Sequence, residues 1–357
     1  MSDEPVDWAL AERVGRSVAG RAVTPHVDLN RLSDEVNRFA PEAEALIAAE
    51  TGLSPATPAS VQVIDRGTWV QLNLQAFRTL LRPLLERHLG TQSRPAGAVG
   101  RAMIGAGRTT LAAELGGMLG WMSRRVLGQY DSLAGAGTGE AVYLVGVNLA
   151  VVEQTMRFVP LDFRRWVTLH ELTHRAQFTA VPWMRDHYLG LVDEVLAADR
   201  LDPSAVVARL RSTLTDRAAA KQQIRDGGVA ALMADEGQRA AMHRIAGLMS
   251  LLEGHGNHVM NRAGVAVIPD VDRFHRTLEE RRANVNPIQR LVMQVLGLQA
   301  KLDQYAAGER FIEALEAASP ADRLIDRCWA DQTGLPDLDE IRDPSKWLAR
   351  MAIDTGR

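Results

Sequence analysis

The chain has 357 residues, 46% of them hydrophobic, and a formal net charge of −3. That length suffices for one large domain or two intimate halves around a sizeable core, at the apolar content of an ordinary globular protein. The basic residues, arginines except for Lys221, Lys301 and Lys346, are spread along the chain, which argues against nucleic acid or an anionic membrane surface as the main partner.

In chain order, the N-terminus (Met-Ser-Asp-Glu-Pro-Val-Asp) lacks the basic-then-apolar order of a secretory signal, and a cytoplasmic protein is expected. Apolar spacing predicts a helix over Val6 to Val18. Asp28 to Glu50 reads as two short helices, the second opened by Pro41. Val61 to Ile64 is a strand candidate, and Trp69 to Leu85 is helical. A long helix is predicted from Gly100 to Leu127, with small residues such as Gly105, Gly107, Gly116, Gly117 and Gly120 that let another helix approach closely. A phosphate-binding loop is set aside there, because the Gly-Lys-Ser/Thr ending is missing. The longest apolar stretch, Ala102 to Met122, is interrupted by Arg108 and Glu114 and should not span a bilayer.

A turn around Gly135 to Gly139 leads to Val142 to Val147, the best strand candidate. Asp162 to Phe178 then reads as an amphipathic helix with an acidic start. Further helices are predicted from Pro182 to about Ala197, over Ser204 to Leu214 and over Glu236 to Asn261, with Val265 to Ile268 a strand or extended loop. The remainder, Val271 to Ile353, reads as short helices punctuated by Pro287, Gly308, Pro320, Pro336 and Pro344. Cys328, the single cysteine, allows no internal disulfide and no multi-cysteine metal site, and beside Trp329 it reads as a small core residue. The fold class is mainly α with a small β component. One domain over 1–357 is expected, with an N-terminal helical half (1–140) and a second half (141–357) that carries the chemistry.

That chemistry lies in His170-Glu171-Leu172-Thr173-His174. On a helix, positions i and i+4 share a face, so both histidines can turn a ring nitrogen to one metal ion. Glu171 lies about 100° around the helix, where a carboxylate reaches a water at the metal without ligating it and can act as general base. The preceding strand candidate is where an edge strand bordering a metallopeptidase cleft is expected. Zinc needs a third protein ligand. The extended metzincin pattern is excluded, because Gln177 and Ala180 stand where it asks for glycine and histidine. Glu253 is the better candidate, a carboxylate in the apolar run Ser250 to Met260, where a charge is costly unless paired or metal-bound. His255 and His258 are the rival ligands. Asp162, Asp186 and Asn257 are possible hydrogen-bond partners for the ligand histidines. Tyr305, His255, His275 and Arg276 are candidates for stabilising a developing oxyanion, although Tyr305 reads more readily as a tyrosine at a helix–helix contact.

The run Trp166 to Phe178 around this motif resembles the zincin-like predicted metallopeptidases found chiefly in actinobacteria. Ser123 to Asp131, Leu251 to His255, Arg281-Arg282, Gln304-Tyr305, Gly308 to Phe311 and Trp347 to Arg350 are similar in character to that family. The chain looks like the subset associated with coenzyme F420 biosynthesis. The resemblance implies a zincin-like, gluzincin-type fold, Zn²⁺ held by His170, His174 and Glu253, and Glu171 as base; Tyr305 and His255 stay catalytic candidates from the residues alone. The implied activity is hydrolysis of an unknown peptide or amide substrate. A zinc-stabilised scaffold or regulatory partner without turnover is the alternative, and oligomeric state is left open.

Overall fold

The computed structural model describes residues 4, 6–21, 25–89, 98–131, 141–196, 235–265, 267–269, 271, 273, 274, 276, 277, 298–320 and 322–352. The described elements are α1 (Trp8–Ala19), α2 (Leu29–Thr51), β1 (Ser60–Ile64), α3 (Arg66–Leu89), α4 (Ala98–Met122), β2 (Gly128–Tyr130), β3 (Ala141–Val145), α5 (Gly146–Met156), α6 (Pro160–Thr179) and α7 (Met184–Leu196). After these come α8 (Glu236–Gly264), α9 (Leu298–Ala318), α10 (Asp326–Ala330), a 3-10 turn (Gln332–Gly334), α11 (Leu338–Arg342) and α12 (Pro344–Arg350). The protein is thus mainly helical with one small sheet. It divides into two compact units, Met1–Glu44 with Pro58–Leu172 and Ala45–Thr57 with Thr173–Arg357, so α2 and α6 each run from one unit into the other.

In the first unit, α1 begins where the Asp7 carboxylate accepts the Leu10 backbone N–H at 2.9 Å, filling one of the donors a helix start leaves open. It lies on α4, where the small residues act as expected. A Cβ on Gly116 would stand 2.2 Å from the Ala11 carbonyl oxygen, and one on Gly120 2.4 Å from that of Gly15. The helix ends at Met122 instead of Leu127, and the chain turns through Ser123 to Arg125 into β2.

The sheet order is β1-β3-β2. β1 runs parallel to β3 (Val61↔Val142, Val63↔Leu144), and β2 runs antiparallel to it (Gly128↔Leu144, Tyr130↔Val142). The strand ahead of the motif helix is therefore the sheet's centre, buried on both faces. The edge positions belong to β1 and to β2, and β2 follows directly on the residue where the helix was expected to end. β3 is also shorter than predicted, because α5 starts directly at Gly146.

Two further expectations change. Residues 29–51 form one helix, with Pro41 inside it. An interior proline costs about 3 kcal/mol, but Leu32, Val36, Phe39, Ala43 and Ile47 form a continuous buried stripe through it. Each large apolar side chain buried contributes about 1.5–3 kcal/mol, so the stripe outweighs the break. The motif helix α6 is not amphipathic: from Trp166 to Phe178 only His170 and His174 escape full burial. Its buried polar groups are served locally, as where Thr168 donates to the Arg164 carbonyl at 2.7 Å.

In the second unit, α8 starts with a capping box between Asp235 and Gln238 and packs on α7, α9 and α11. Gly308, read as a break, sits in the middle of the 21-residue α9. A Cβ on it would stand 1.9 Å from the Ser250 carbonyl oxygen, and one on Gly254 2.3 Å from Gly308 C, so the two helix backbones touch here. Trp347 closes the core, fully buried, with its indole N–H on the Gly334 carbonyl at 2.8 Å. Cys328 is also fully buried, and burial raises its thiol pKa, as suits a core residue. Val265 and Val267 form a turn instead of a strand. The Gly135–Gly139 turn, the Ser204–Leu214 helix, Pro287, His275 and Arg281-Arg282 lie outside the described residues. Among those described, no helix is long and apolar enough to cross a membrane.

Candidate metal centre

α6 carries His170 and His174 one turn apart, and α8 carries Glu253. These three side chains each offer one ligand atom, and all three atoms lie within 4.8 Å of one another. The His174 Nε2 to Glu253 Oε2 separation is 3.6 Å. That is long for a hydrogen bond. Two donors bound tetrahedrally to one zinc at 2.0–2.2 Å stand about 3.4 Å apart, so the spacing is that of co-ligands. His255 and His258, the rival ligands, are outside this group. His258 Nε2 lies 3.2 Å from Glu316 Oε1 and lines a separate cavity of ≈ 500 Å³ with Glu50 and Arg262.

The orientation of His174 is set by Gln177, three residues on and fully buried. His174 Nδ1 is 2.9 Å from Gln177 Oε1. The Gln177 amide nitrogen donates to the Leu252 carbonyl at 3.0 Å and to His255 Nδ1 at 2.9 Å. A carbonyl only accepts, so the amide nitrogen must face Leu252 and the oxygen must face His174. His174 then donates from Nδ1 and turns its Nε2 lone pair to Glu253. His255 is 3% exposed and packs on the Trp329 ring, centroids 5.1 Å apart. Burial, reinforced by His258, His174 and Arg323, lowers its pKa to about 3, so it is neutral and able to accept from Gln177. The expected partners Asp162, Asp186 and Asn257 do not take the His174 Nδ1 bond.

Glu171 is 7% exposed and lies in the first unit against β2. A Cβ on Gly128 would stand 2.6 Å from Glu171 Cγ and Oε1, so the edge strand leaves a side-chain-free slot that the carboxylate fills. Of the oxyanion candidates, Tyr305 is on α9, Arg276 is exposed, and His275 is outside the described residues.

Two residues that matter here escaped the sequence reading. Gln177 drew notice only for excluding another motif, although a glutamine three places after a ligand histidine on an apolar helix was an available signal. Gly128 offered none, since a three-residue strand shows no alternation.

The description "zincin-like metallopeptidase" matches the chain over residues 6–348. The chain belongs to this family. Among solved structures, the zincin-like chain is similar to one from Chloroflexus aurantiacus, described as a candidate hydrolase with a novel fold. The two share 30% identity and a TM-score of 0.70, over 98% of this chain and 99% of the other. No curated protein matches it. The donor set fits a divalent metal of the zinc type: two imidazoles and one carboxylate among the described residues.

Proposed function

We propose that this chain is a zinc-dependent hydrolase of a peptide or amide bond. The observation that carries the reading is the group formed by His170 and His174 on α6 with Glu253 on α8, next to Glu171 on the same α6. Zinc held by His170, His174 and Glu253 would supply Lewis-acid polarisation of the scissile carbonyl and a lowered pKa for a water. The Glu171 carboxylate would take a proton from a water adding to the scissile carbonyl carbon and return it to the leaving nitrogen as the C–N bond breaks. Burial beside Gly128 holds the carboxylate in one place, which suits a group that must receive and return a proton at fixed points. Gln177 holds His174, and His255 acts through Gln177 as a positioning residue. β2 is one of the two edge strands of the described sheet, the one against Glu171, and an extended substrate can add to such an edge by main-chain hydrogen bonds. Tyr305 is kept as the oxyanion donor. It lies three residues before Gly308, where α9 crosses α8 next to Glu253. The likeness to the F420-associated subset rests on sequence alone, and binding of F420 is no part of the proposal.

The test is metal analysis combined with hydrolysis of a mixed peptide library. Wild type should carry about one zinc per chain and cleave. Glu171→Gln should keep the zinc and the fold and lose cleavage, and Glu253→Ala should lose the zinc. Full zinc occupancy in Glu253→Ala, or wild-type cleavage by Glu171→Gln, sinks the assignment.

A further inference from the structure

The first unit treats two of its arginines in opposite ways. Arg164 is held by Glu153 at 2.8 Å and Glu35 at 3.0 Å, the usual condition for a shielded guanidinium. Arg66 is 7% exposed and has no carboxylate partner among the described residues. Its Nε donates to Asn148 Oδ1 at 2.7 Å, and its buried Nη1 has no hydrogen-bond partner among the described residues. Asn148 is fixed in turn, its amide nitrogen donating to the carbonyls of Ser123 at 2.7 Å and Val126 at 2.6 Å. The orientation of Arg66 is therefore built, not incidental. Arg124, on the same turn, is exposed, and burial together with its charge lowers the Arg66 pKa. An arginine does not give up its proton in a protein, so the fold holds a buried cation beside a second cation with no counter-charge for it among the described residues.

We propose that Arg66 and Arg124 form an oxyanion-binding site, for a carboxylate or a phosphate, at the head of the β2 edge strand. A guanidinium matches both groups in shape and charge. Two sources fit the position. The turn from Ser123 leads within a few residues to Gly128, which faces Glu171, so the carboxylate of a peptide lying along β2 would reach it, a source that rests on the hydrolase reading. Free inorganic phosphate is the other source, and it needs no such reading.

The test uses the full-length chain as purified, at constant ionic strength, with thermal shift and calorimetric titration. The probes are inorganic phosphate, N-acetyl-dialanine and the C-terminal amide of the same dipeptide. Binding of phosphate identifies the free anion, and binding of the acid but not the amide identifies a substrate carboxylate; either result supports the site. Affinity should fall about 10-fold or more in Arg66→Gln and about 3-fold in Arg124→Gln, with zinc content unchanged in both. Should Arg66→Gln fail to fold, the exposed Arg124 variant decides. No binding beyond matched chloride, or equal binding in the variants that fold, overturns the proposal. A chain without zinc that still binds the anion would remove the hydrolase reading and leave this site standing.

Discussion

Replacing Gly128 by alanine tests whether the edge strand sets the position of Glu171. The added Cβ would stand 2.6 Å from Glu171 Cγ and Oε1 and 2.7 Å from Cδ, where carbon atoms at rest keep about 3.5–4.0 Å. Something must move by about 1 Å. β2 is pinned in register to β3 through Gly128↔Leu144, whereas the Glu171 side chain can rotate, so the carboxylate should give way. Overpacking of this kind costs about 1–3 kcal/mol, and a base displaced by about 1 Å loses about 100-fold in rate. Urea unfolding of four chains measures the first effect without any known substrate: wild type, Gly128→Ala, Glu171→Ala and the double variant. In the Glu171→Ala background the new methyl group meets empty space, so its penalty should shrink to about 0.5 kcal/mol or less. Zinc content should not change, because the slot holds none of the three donors. Equal destabilisation by Gly128→Ala in both backgrounds would refute the idea that the slot exists for this carboxylate.

Three other outcomes follow from the same contacts. Gln177→Leu, similar in volume, should weaken zinc binding about 10- to 100-fold in calorimetric titration, and it should cost about 1–3 kcal/mol by leaving the Leu252 carbonyl and His255 Nδ1 unserved; unchanged affinity would remove Gln177 from the site. Gly308→Ala forces α8 and α9 apart at the 1.9 Å approach to the Ser250 carbonyl and should cost about 3 kcal/mol or more, read by denaturant unfolding, where a loss under about 1 kcal/mol would contradict the crossing. His255, with its pKa lowered from 6.5 to about 3, contributes no pH dependence above about 6.5. Between 6.5 and 3 only the unfolded chain takes up its proton, so stability falls with pH by roughly 1 kcal/mol per unit. Metal-free His255→Gln should show a shallower fall than the metal-free parent in that window, and identical profiles would exclude the effect.

What the sequence disclosed was whatever a single element expresses by itself. His170 and His174 are visible because i, i+4 is a property of one helix. Glu253 is visible because a carboxylate in an apolar run is anomalous before its neighbours are known. The glycines of α4 signalled a close helix partner, and α1 supplies it. The errors fall where a second element decides the meaning of a residue. Gly308 and Pro41 have the local chemistry of helix breakers, but a backbone crossing explains the first and a buried stripe overrides the second. β2 is too short to show a period, so its edge position went instead to β3, whose long apolar run marks a strand buried on both faces. His170 and Glu171 look like parts of an amphipathic surface until burial shows that nearly every side of α6 after Trp166 is covered.

The choice of glutamine at 177 has a chemical logic that the usual carboxylate partner of a ligand histidine could not meet. Three groups converge on this side chain: an imidazole N–H from His174, the Leu252 carbonyl and His255 Nδ1. The first donates and the other two accept, and only an amide offers one acceptor and two donors in that arrangement. A carboxylate would serve His174 but face two acceptors in a buried space, and would add a third negative charge near Glu171 and Glu253. With the amide, the two carboxylates match the charge of one divalent ion. The arrangement also depends on His255 being neutral at Nδ1, which its burial ensures down to about pH 3. A protonated His255 would present a donor to the Gln177 amide nitrogen and favour a flipped amide, whose nitrogen would face His174 Nδ1 and make it an acceptor. The proton of His174 would then belong on Nε2, the atom that faces Glu253. Desolvation of a histidine behind the site thus fixes which nitrogen of another histidine is free to accept a metal ion.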